Sequence, residues 1–341
     1  MQTPKKIIDN EVNELSEQIY TPVREMILNK AFEQYGEADL YGEDSDDIVV
    51  NPNIDTKHFP WRYSYNLLTE DARIQEQEEM DHFYFELYRD IMHERFDGVK
   101  CASFEKIYIA TTSYCNGKCS FCPAGNDKKQ PVIYLSDTVI DKIILKLKEM
   151  SFSGKISLHG VNEPLLDKRI VKICQKFKAN LPQCKLQILT NGTMLTVRLL
   201  EELILVLDQI DVHIYDDSLE IPIKYNSIIE FCRNNERAKK IVRIYKRRQH
   251  EILSQKGYGP CGRDKFSNIV SGCIMPFTTL SVLADGSVTY CDSDYLGKGA
   301  MGNIADESIL EIWNNEKFTK YRRDMILGRQ NTMYCNKCDF F

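Results

Sequence analysis

The alternation of short apolar runs with amphipathic stretches between residues 106 and 245 is the feature that most restricts the fold of this chain. The predicted strands are KIYIATT (106–112), KISLHG (155–160), KLQILT (185–190), QIDVHIY (209–215) and IVRIY (241–245). The predicted helices are LSDTVIDKIILKLKEM, DKRIVKICQKFKAN, TVRLLEELILVL and NSIIEFCRNN. Strands that alternate with helices form right-handed βαβ units, so we expect a parallel sheet, open or closed into part of a barrel. In such sheets the chemistry gathers at the carboxyl ends of the strands.

The regions on either side of this alternation have different patterns. Residues 8–34 and 66–95 have helical periodicity around a polar connector, and residues 1–60 carry 13 acidic side chains against 5 basic ones. Beyond residue 250, TTLSVLADGSVTYC predicts two strands joined by a turn at Asp285-Gly286, and residues 306–327 predict one amphipathic helix. We therefore expect a helical acidic extension over 1–100, an α/β domain over 101–255 and a small C-terminal domain over 256–341.

Composition excludes several classes of protein. No run of roughly 18 uncharged apolar residues occurs, and the N-terminal residues have no apolar core of a signal peptide, so we expect a cytoplasmic protein without a membrane span. An isoelectric point near 5.7 and the absence of a general basic surface argue against nucleic acid as a partner. Twelve cysteines would not persist as disulfides in a reducing compartment. The sequence therefore predicts metal, iron–sulfur or redox chemistry.

Three cysteines after the first predicted strand, Cys115, Cys119 and Cys122, form a C-x3-C-x2-C pattern. Three thiolates on one loop can hold three irons of a 4Fe–4S cluster and leave the fourth iron without a protein ligand. A structural zinc site takes four ligands, so this spacing fits zinc poorly. Three packed cysteines without a metal are the structural alternative.

This pattern at this position resembles that of the radical S-adenosylmethionine (SAM) superfamily, and the resemblance extends over about residues 104–341. It implies a partial (β/α)6 barrel with a 4Fe–4S cluster whose open iron binds SAM. One electron from that cluster, supplied by a reduced flavodoxin or ferredoxin, cleaves SAM to methionine and a 5′-deoxyadenosyl radical, which abstracts a hydrogen atom from the substrate. The cofactor performs the difficult step and the protein positions it.

Further residues match the superfamily in chain order. Phe121 occupies the position of an aromatic residue that packs near the adenine of SAM. The segment LHGVNEPLLD (158–167) resembles the strand-two GGEP motif, which implies that Glu163 accepts hydrogen bonds from the SAM amino group; Asn162 replaces the second glycine. The segment LTNGTMLT (189–196) resembles the strand-three segment, which implies contacts from Thr190 and Asn191 to the ribose or carboxylate of SAM.

A second set of cysteines consists of Cys273, Cys291, Cys335 and Cys338. Four thiolates suffice to ligate every iron of an auxiliary 4Fe–4S cluster, and a zinc ribbon is the alternative. The spacing, with DG between the first two cysteines and IWN in the following helix, resembles the twitch domain, a shortened SPASM domain. Within that subgroup the separations are similar to those of 2-deoxy-scyllo-inosamine dehydrogenases, which oxidise a secondary alcohol to a ketone.

Five side chains are candidates for contact with SAM or substrate. In the basic run KKIVRIYKRR, Arg243 or Lys246 is expected at the mouth of the strand, against the SAM carboxylate or an anionic substrate; solvated charges are the alternative. Lys256 lies where the dehydrogenases have an arginine that handles the substrate hydroxyl, although an ammonium does not match a guanidinium fork. Cys261 is placed to return a hydrogen atom, which would give epimerisation. His159 is either a structural histidine or a hydrogen-bond partner of the substrate.

The resulting hypothesis is a radical SAM enzyme with two 4Fe–4S clusters, one that binds SAM and one auxiliary. It acts on a small polar substrate, neutral or anionic, at a hydroxylated carbon of a sugar, cyclitol or sugar nucleotide, by dehydrogenation or epimerisation. Two alternatives stay open: crosslinking or epimerisation of a ribosomal peptide, and a non-catalytic metal-binding scaffold. The sequence specifies neither the substrate nor the oligomeric state.

Overall fold

One mixed sheet organises the protein. The computed structural model describes residues 48–50, 88–120, 122, 131–160, 162–218, 220–247, 249, 272–294, 296–333, 335, 336 and 338. The strands there are β1 (Val49–Val50), β2 (Lys106–Ile109), β3 (Lys155–Ser157), β4 (Lys185–Thr190), β5 (Gln209–Tyr215), β6 (Val242–Arg247), β7 (Thr279–Val282), β8 (Ser287–Thr289) and β9 (Gly302–Asn303). Their order is β1-β6-β5-β4-β3-β2-β7-β8-β9. All neighbouring strands from β1 to β7 in this order are parallel. Strand β8 pairs antiparallel with both β7 and β9.

Helices connect the parallel strands, as the alternating pattern predicts. Their bounds are α1 (Asp137–Glu149), α2 (Ile170–Asn180), α3 (Val197–Leu203), α4 (Asn226–Asn234), α5 (Glu236–Ile241), α6 (Met275–Thr278), α7 (Ile309–Trp313) and α8 (Glu316–Ile326). Residues 88–95 are also helical. The hydroxyls of Ser136 and Thr196 cap α1 and α3 by accepting from backbone N–H groups. Within the described residues, no helix has both the length and the apolar character that crossing a membrane requires.

The two faces of the sheet differ in chemistry, because successive side chains of a strand point to opposite sides. One face carries isoleucine, leucine and valine side chains, which share a single buried core with the apolar stripes of α1 to α4. The alternate positions are buried and polar: Lys106, Lys155, Ser157, His159, Gln187, Gln209, Asp211, Thr279 and Ser281. Parallel sheets are normally apolar on both faces, so the polar face has a purpose other than packing.

The C-terminal region confirms the hairpin and corrects the predicted helix. β7 and β8 pair around Asp285-Gly286, where Gly286 has φ +86°. The predicted single helix over 306–327 was wrong, because the chain breaks between α7 and α8. Asn314 Oδ1 accepts from Cys101 N at 3.0 Å, and Asn315 caps α8 by accepting from Phe318 N at 2.8 Å. Both side chains therefore bond to backbone groups, which favours a cap over a helix interior.

Two of the first hundred residues, Val49 and Val50, form the edge of the sheet beyond β6. β1 pairs with β6 through Val49↔Ile244 and Val50↔Tyr245, and Ile48, which is 1% exposed, accepts from Ile244 N at 2.7 Å. The sequence predicts helices and an irregular connector in this region, and no strand. The extension thus contributes to the sheet itself, and its remaining residues before 88 lie outside the described part of the chain.

Candidate active site and metal centres

The loop that follows β2 brings predicted cluster ligands together. Gly117 lies between Cys115 and Cys119; a Cβ atom there would lie 3.3 Å from Cys115 Sγ and 3.6 Å from Cys119 Sγ. Burial, with a contribution from the neighbouring thiols, raises the pKa of Cys119 to about 12, and burial raises the pKa of Cys115 to about 11. Cys122 lies close enough to influence both pKa values. Without a metal these thiols hold their protons, whereas an iron would displace them and bind the thiolates.

Glu163 joins this loop to the end of β4. Its carboxylate is 2% exposed and accepts from Thr190 Oγ1 at 2.6 Å, Asn191 N at 2.8 Å and Leu165 N at 3.0 Å. Its own backbone N–H donates to Tyr114 O at 3.0 Å. Burial raises the pKa of this carboxyl and so favours its protonated form. A cationic group such as the SAM ammonium would oppose this effect and favour the ionised form.

Asn191 forms the other side of the same junction. Its Nδ2 donates to Asn116 Oδ1 at 2.9 Å and lies 4.0 Å from Cys115 Sγ. Its carbonyl accepts from Tyr225 Oη at 2.9 Å. The structure therefore brings Glu163, Thr190 and Asn191 to the Cys115 loop. Sequence reasoning missed Asn116 and Tyr225: the first stands between two cluster cysteines and was detectable, whereas the second comes from a distant connection.

Gly192 provides a test of this junction. We expect Gly192→Ala to destabilise the protein by at least about 2 kcal/mol, a decrease of roughly 3 °C in Tm for a chain of 341 residues. Its φ is +67°, and an added Cβ would lie 2.6 Å from Val212 Cγ1 and 2.9 Å from Tyr225 Cε1. The control is Gly98→Ala, where φ is +94° but no atom lies within 4 Å of the added Cβ; it should cost about 1 kcal/mol. Equal losses of Tm in the two variants would contradict the predicted clash.

The second set of cysteines also converges. Burial, with contributions from Cys273 and Cys335, raises the pKa of Cys291 well above its usual value. Burial, together with Cys338 and Cys273, raises the pKa of Cys335 to about 12. Four thiols that influence one another in this way fit a centre with four thiolate ligands, and iron or zinc would displace their protons equally well.

The two sets of thiols lie at opposite ends of the sheet. The Cys115 loop follows the carboxyl end of β2. β7 runs parallel to β2 and β8 runs back, so Cys291, two residues after Thr289, lies by the amino ends of the parallel strands. A four-residue strand spans at least about 10 Å, and the buried polar face extends between the two ends.

Hydrogen bonds organise this polar face. Gln187 Nε2 donates to Ser157 Oγ at 2.5 Å, and Leu189 N donates to His159 Nδ1 at 3.1 Å. Among the described residues, Gln187 Oε1 and Ser281 Oγ are buried without a hydrogen-bond partner. Sequence reasoning missed this face, although a signal was present: lysine, serine, glutamine and aspartate recur at alternate positions of the predicted strands.

The remaining predicted residues lie either away from this junction or outside the described part of the chain. Phe121, Lys256 and Cys261 lie outside the described residues. Arg243 is the second residue of β6, at the amino end of the strand, where its Nη1 donates to Lys239 O and Val242 O, each at 2.9 Å. The structure thus places it at the opposite strand end from Asn191, away from the expected SAM carboxylate. Lys246 lines a cavity of about 600 Å³ on the α4 side of the sheet.

Comparison with known proteins identifies the class. Residues 109–255 match the model of the Radical SAM superfamily, and residues 273–339 match SPASM, an iron–sulfur cluster-binding domain. The chain therefore contains a radical SAM domain followed by a SPASM domain. The cofactors are therefore SAM, a 4Fe–4S cluster in the radical SAM domain and auxiliary iron–sulfur chemistry in the SPASM domain, which favours iron over the zinc alternative.

Particular relatives are similar over most of their length. The S-adenosyl-L-methionine-dependent 2-deoxy-scyllo-inosamine dehydrogenase of Niallia circulans is 26% identical over 237 residues, which cover 69% of this chain and 93% of that protein. A crystal structure of BtrN in complex with AdoMet and 2-DOIA has a TM-score of 0.60 at 26% identity and covers 70% of this chain and 94% of that one. An open conformation of BtrN has a TM-score of 0.53 at 24% identity, covering 70% and 93%.

Proposed function

We propose that this protein is a radical SAM dehydrogenase that oxidises a hydroxyl-bearing carbon of a small cyclic substrate, a cyclitol or a sugar, to a ketone. The observation that carries the proposal is the buried polar face of the sheet, which lies between the two sets of thiols. The relative named for oxidation of 2-deoxy-scyllo-inosamine supports the substrate class. Peptide modification has no comparable support among the described contacts.

The cofactors and the chain have separate tasks. When bound, the cofactors supply the 5′-deoxyadenosyl radical that abstracts hydrogen. They also supply an acceptor for the one electron that the substrate radical releases as its hydroxyl loses a proton. Cys115, Cys119 and Cys122 would hold the SAM-binding cluster, and Cys273, Cys291, Cys335 and Cys338 would hold the auxiliary cluster. Glu163 and Asn191 would orient SAM at the carboxyl ends of the strands, because they stand beside the Cys115 loop.

The polar face would bind the substrate hydroxyls. Because Leu189 N donates to His159 Nδ1, the neutral imidazole carries its proton on Nε2. Gln187 offers a carbonyl oxygen that no described residue uses, and Ser157 anchors its amide group. A ring that bears several hydroxyls could donate to this oxygen, whereas an apolar substrate would leave it unpaired at a cost of about 1–3 kcal/mol.

Transfer of deuterium tests this proposal. The reconstituted enzyme, with dithionite in place of a flavodoxin or ferredoxin, is incubated with SAM and with 2-deoxy-scyllo-inosamine or related cyclitols and sugars deuterated at each hydroxyl-bearing carbon. We expect mass spectrometry to find deuterium in 5′-deoxyadenosine from one position, together with a ketone product. A product that keeps its hydroxyl and takes up solvent deuterium would indicate epimerisation. Absence of transfer from every cyclitol and sugar would contradict the proposal.

A further inference from the structure

Tyr321 of α8 contacts a predicted ligand of the auxiliary cluster. Its Oη lies 2.8 Å from Cys335 Sγ, and its ring stacks on Tyr290 with 4.6 Å between ring centroids. A cysteine that ligates iron is a thiolate and has no proton to donate. With a cluster bound, the hydrogen bond therefore runs from the phenol to the sulfur.

Arg329 brings a positive charge to the same set of cysteines. Its side chain is 1% exposed, and its guanidinium donates to Cys338 O and Gly272 O, each at 2.9 Å. These two carbonyls belong to one predicted ligand and to the residue before Cys273. The two bonds fix the charge beside the thiols, where burial leaves it little screened by solvent.

We infer that Tyr321 and Arg329 raise the reduction potential of the auxiliary cluster and so make it a suitable acceptor for the electron of the substrate radical. A reduced cluster carries one more negative charge than an oxidised one. A hydrogen bond to a ligating sulfur and a nearby cation stabilise that extra charge, and both are known determinants of cluster potential. The inference rests on the proposed function, in which the substrate radical loses one electron to this cluster and one proton from its hydroxyl.

The chain offers matched controls. Arg322 is as buried as Arg329, but its guanidinium lies 4.0 Å from the ring centroids of Trp313 and Phe318 and donates to Pro276 O at 2.8 Å. Tyr290 belongs to the same aromatic stack as Tyr321. Arg322→Lys and Tyr290→Phe therefore test for general disturbance of the C-terminal domain.

The experiment is a potentiometric titration of the full-length, reconstituted protein followed by electron paramagnetic resonance, with the SAM-binding cluster as internal reference. We expect Tyr321→Phe and Arg329→Gln to shift the reduction potential of the auxiliary cluster to a more negative value, by about 59 mV. For one electron this is a tenfold change in the ratio of oxidised to reduced cluster. Arg329→Lys keeps the charge and should shift it less. The two controls should leave it unchanged.

The possible outcomes separate the two proposals. Unchanged auxiliary potentials in Tyr321→Phe and Arg329→Gln, or equal shifts in the controls, would overturn the inference. If Arg329→Gln fails to retain its iron, the conservative Tyr321→Phe variant decides. The proposed function fails separately if the wild-type protein transfers no deuterium from a cyclitol or sugar even though the potentials shift as expected.

Discussion

Cys119→Ala is expected to abolish formation of 5′-deoxyadenosine and to lower the iron content from about eight to about four atoms per chain. Cys119 is the central cysteine of the loop after β2, and its thiol lies close enough to Cys115 and Cys122 for each to influence its pKa. With only two thiolates left, the SAM-binding cluster loses one of its three protein ligands. The measurements are anaerobic iron and sulfide analysis, and chromatography of the products after addition of dithionite and SAM.

Cys174→Ala is the control for this variant. Cys174 is fully buried in α2 and belongs to the apolar core, so its loss should cost about 1 kcal/mol of stability and leave both clusters in place. Unchanged turnover in Cys119→Ala would remove the Cys115 loop from the catalytic assignment. Loss of about four irons with continued SAM cleavage would show that the radical forms elsewhere.

Glu163→Gln is expected to weaken SAM binding by about ten- to a hundredfold. The carboxylate accepts three hydrogen bonds. In the variant, the NH2 group of the amide would face one of the three donors, so that hydrogen bond would be lost. An unmet buried group lowers stability by about 1–3 kcal/mol with or without SAM. The loss of affinity comes from removal of the negative charge that would face the SAM ammonium, because hydrogen bonds to charged groups contribute about 1.5–3 kcal/mol and each 1.4 kcal/mol is a factor of ten in affinity. Equilibrium dialysis of the reconstituted protein under anaerobic conditions measures the Kd.

The matched control is Glu149→Gln at the end of α1. Glu149 is exposed and pairs with Lys146 at 2.6 Å, so its loss should leave SAM affinity unchanged. If Glu163→Gln bound SAM as tightly as the wild-type protein and kept its Tm, Glu163 would not belong to the SAM site.

The strands and the main helices were predictable because their patterns are local. Apolar runs, capping hydroxyls such as that of Ser136 and the Asp285-Gly286 turn each act within a few residues. The strand β1 and the break at Asn314 were not predictable in this way. The first depends on pairing with Ile244, nearly two hundred residues away, and the second on a bond from Cys101 N.

The candidate site was predictable where residues follow strand ends. Thr190 ends β4, Glu163 and Asn191 follow parallel strands, and the carboxyl ends of such strands meet at one edge of a sheet. Arg243 was expected at the mouth of the strand. Because β6 begins at Val242, the arginine lies at the amino end of the strand instead. Tyr321 and Arg329 escaped prediction because only the packing of α8 and the turn after it brings them to Cys335 and Cys338.

Pairing between β2 and β7 joins the two metal-binding regions by four consecutive residue pairs, from Lys106↔Thr279 to Ile109↔Val282. The length of these strands therefore sets the distance between the two sets of thiols. A hinge motion between the two regions could change this distance only by breaking the hydrogen bonds between β2 and β7. A slip of one residue would also turn the polar side chains of β7 to the apolar side. Chimaeras that exchange the C-terminal region among relatives must preserve this register to keep the distance between the two sets of thiols.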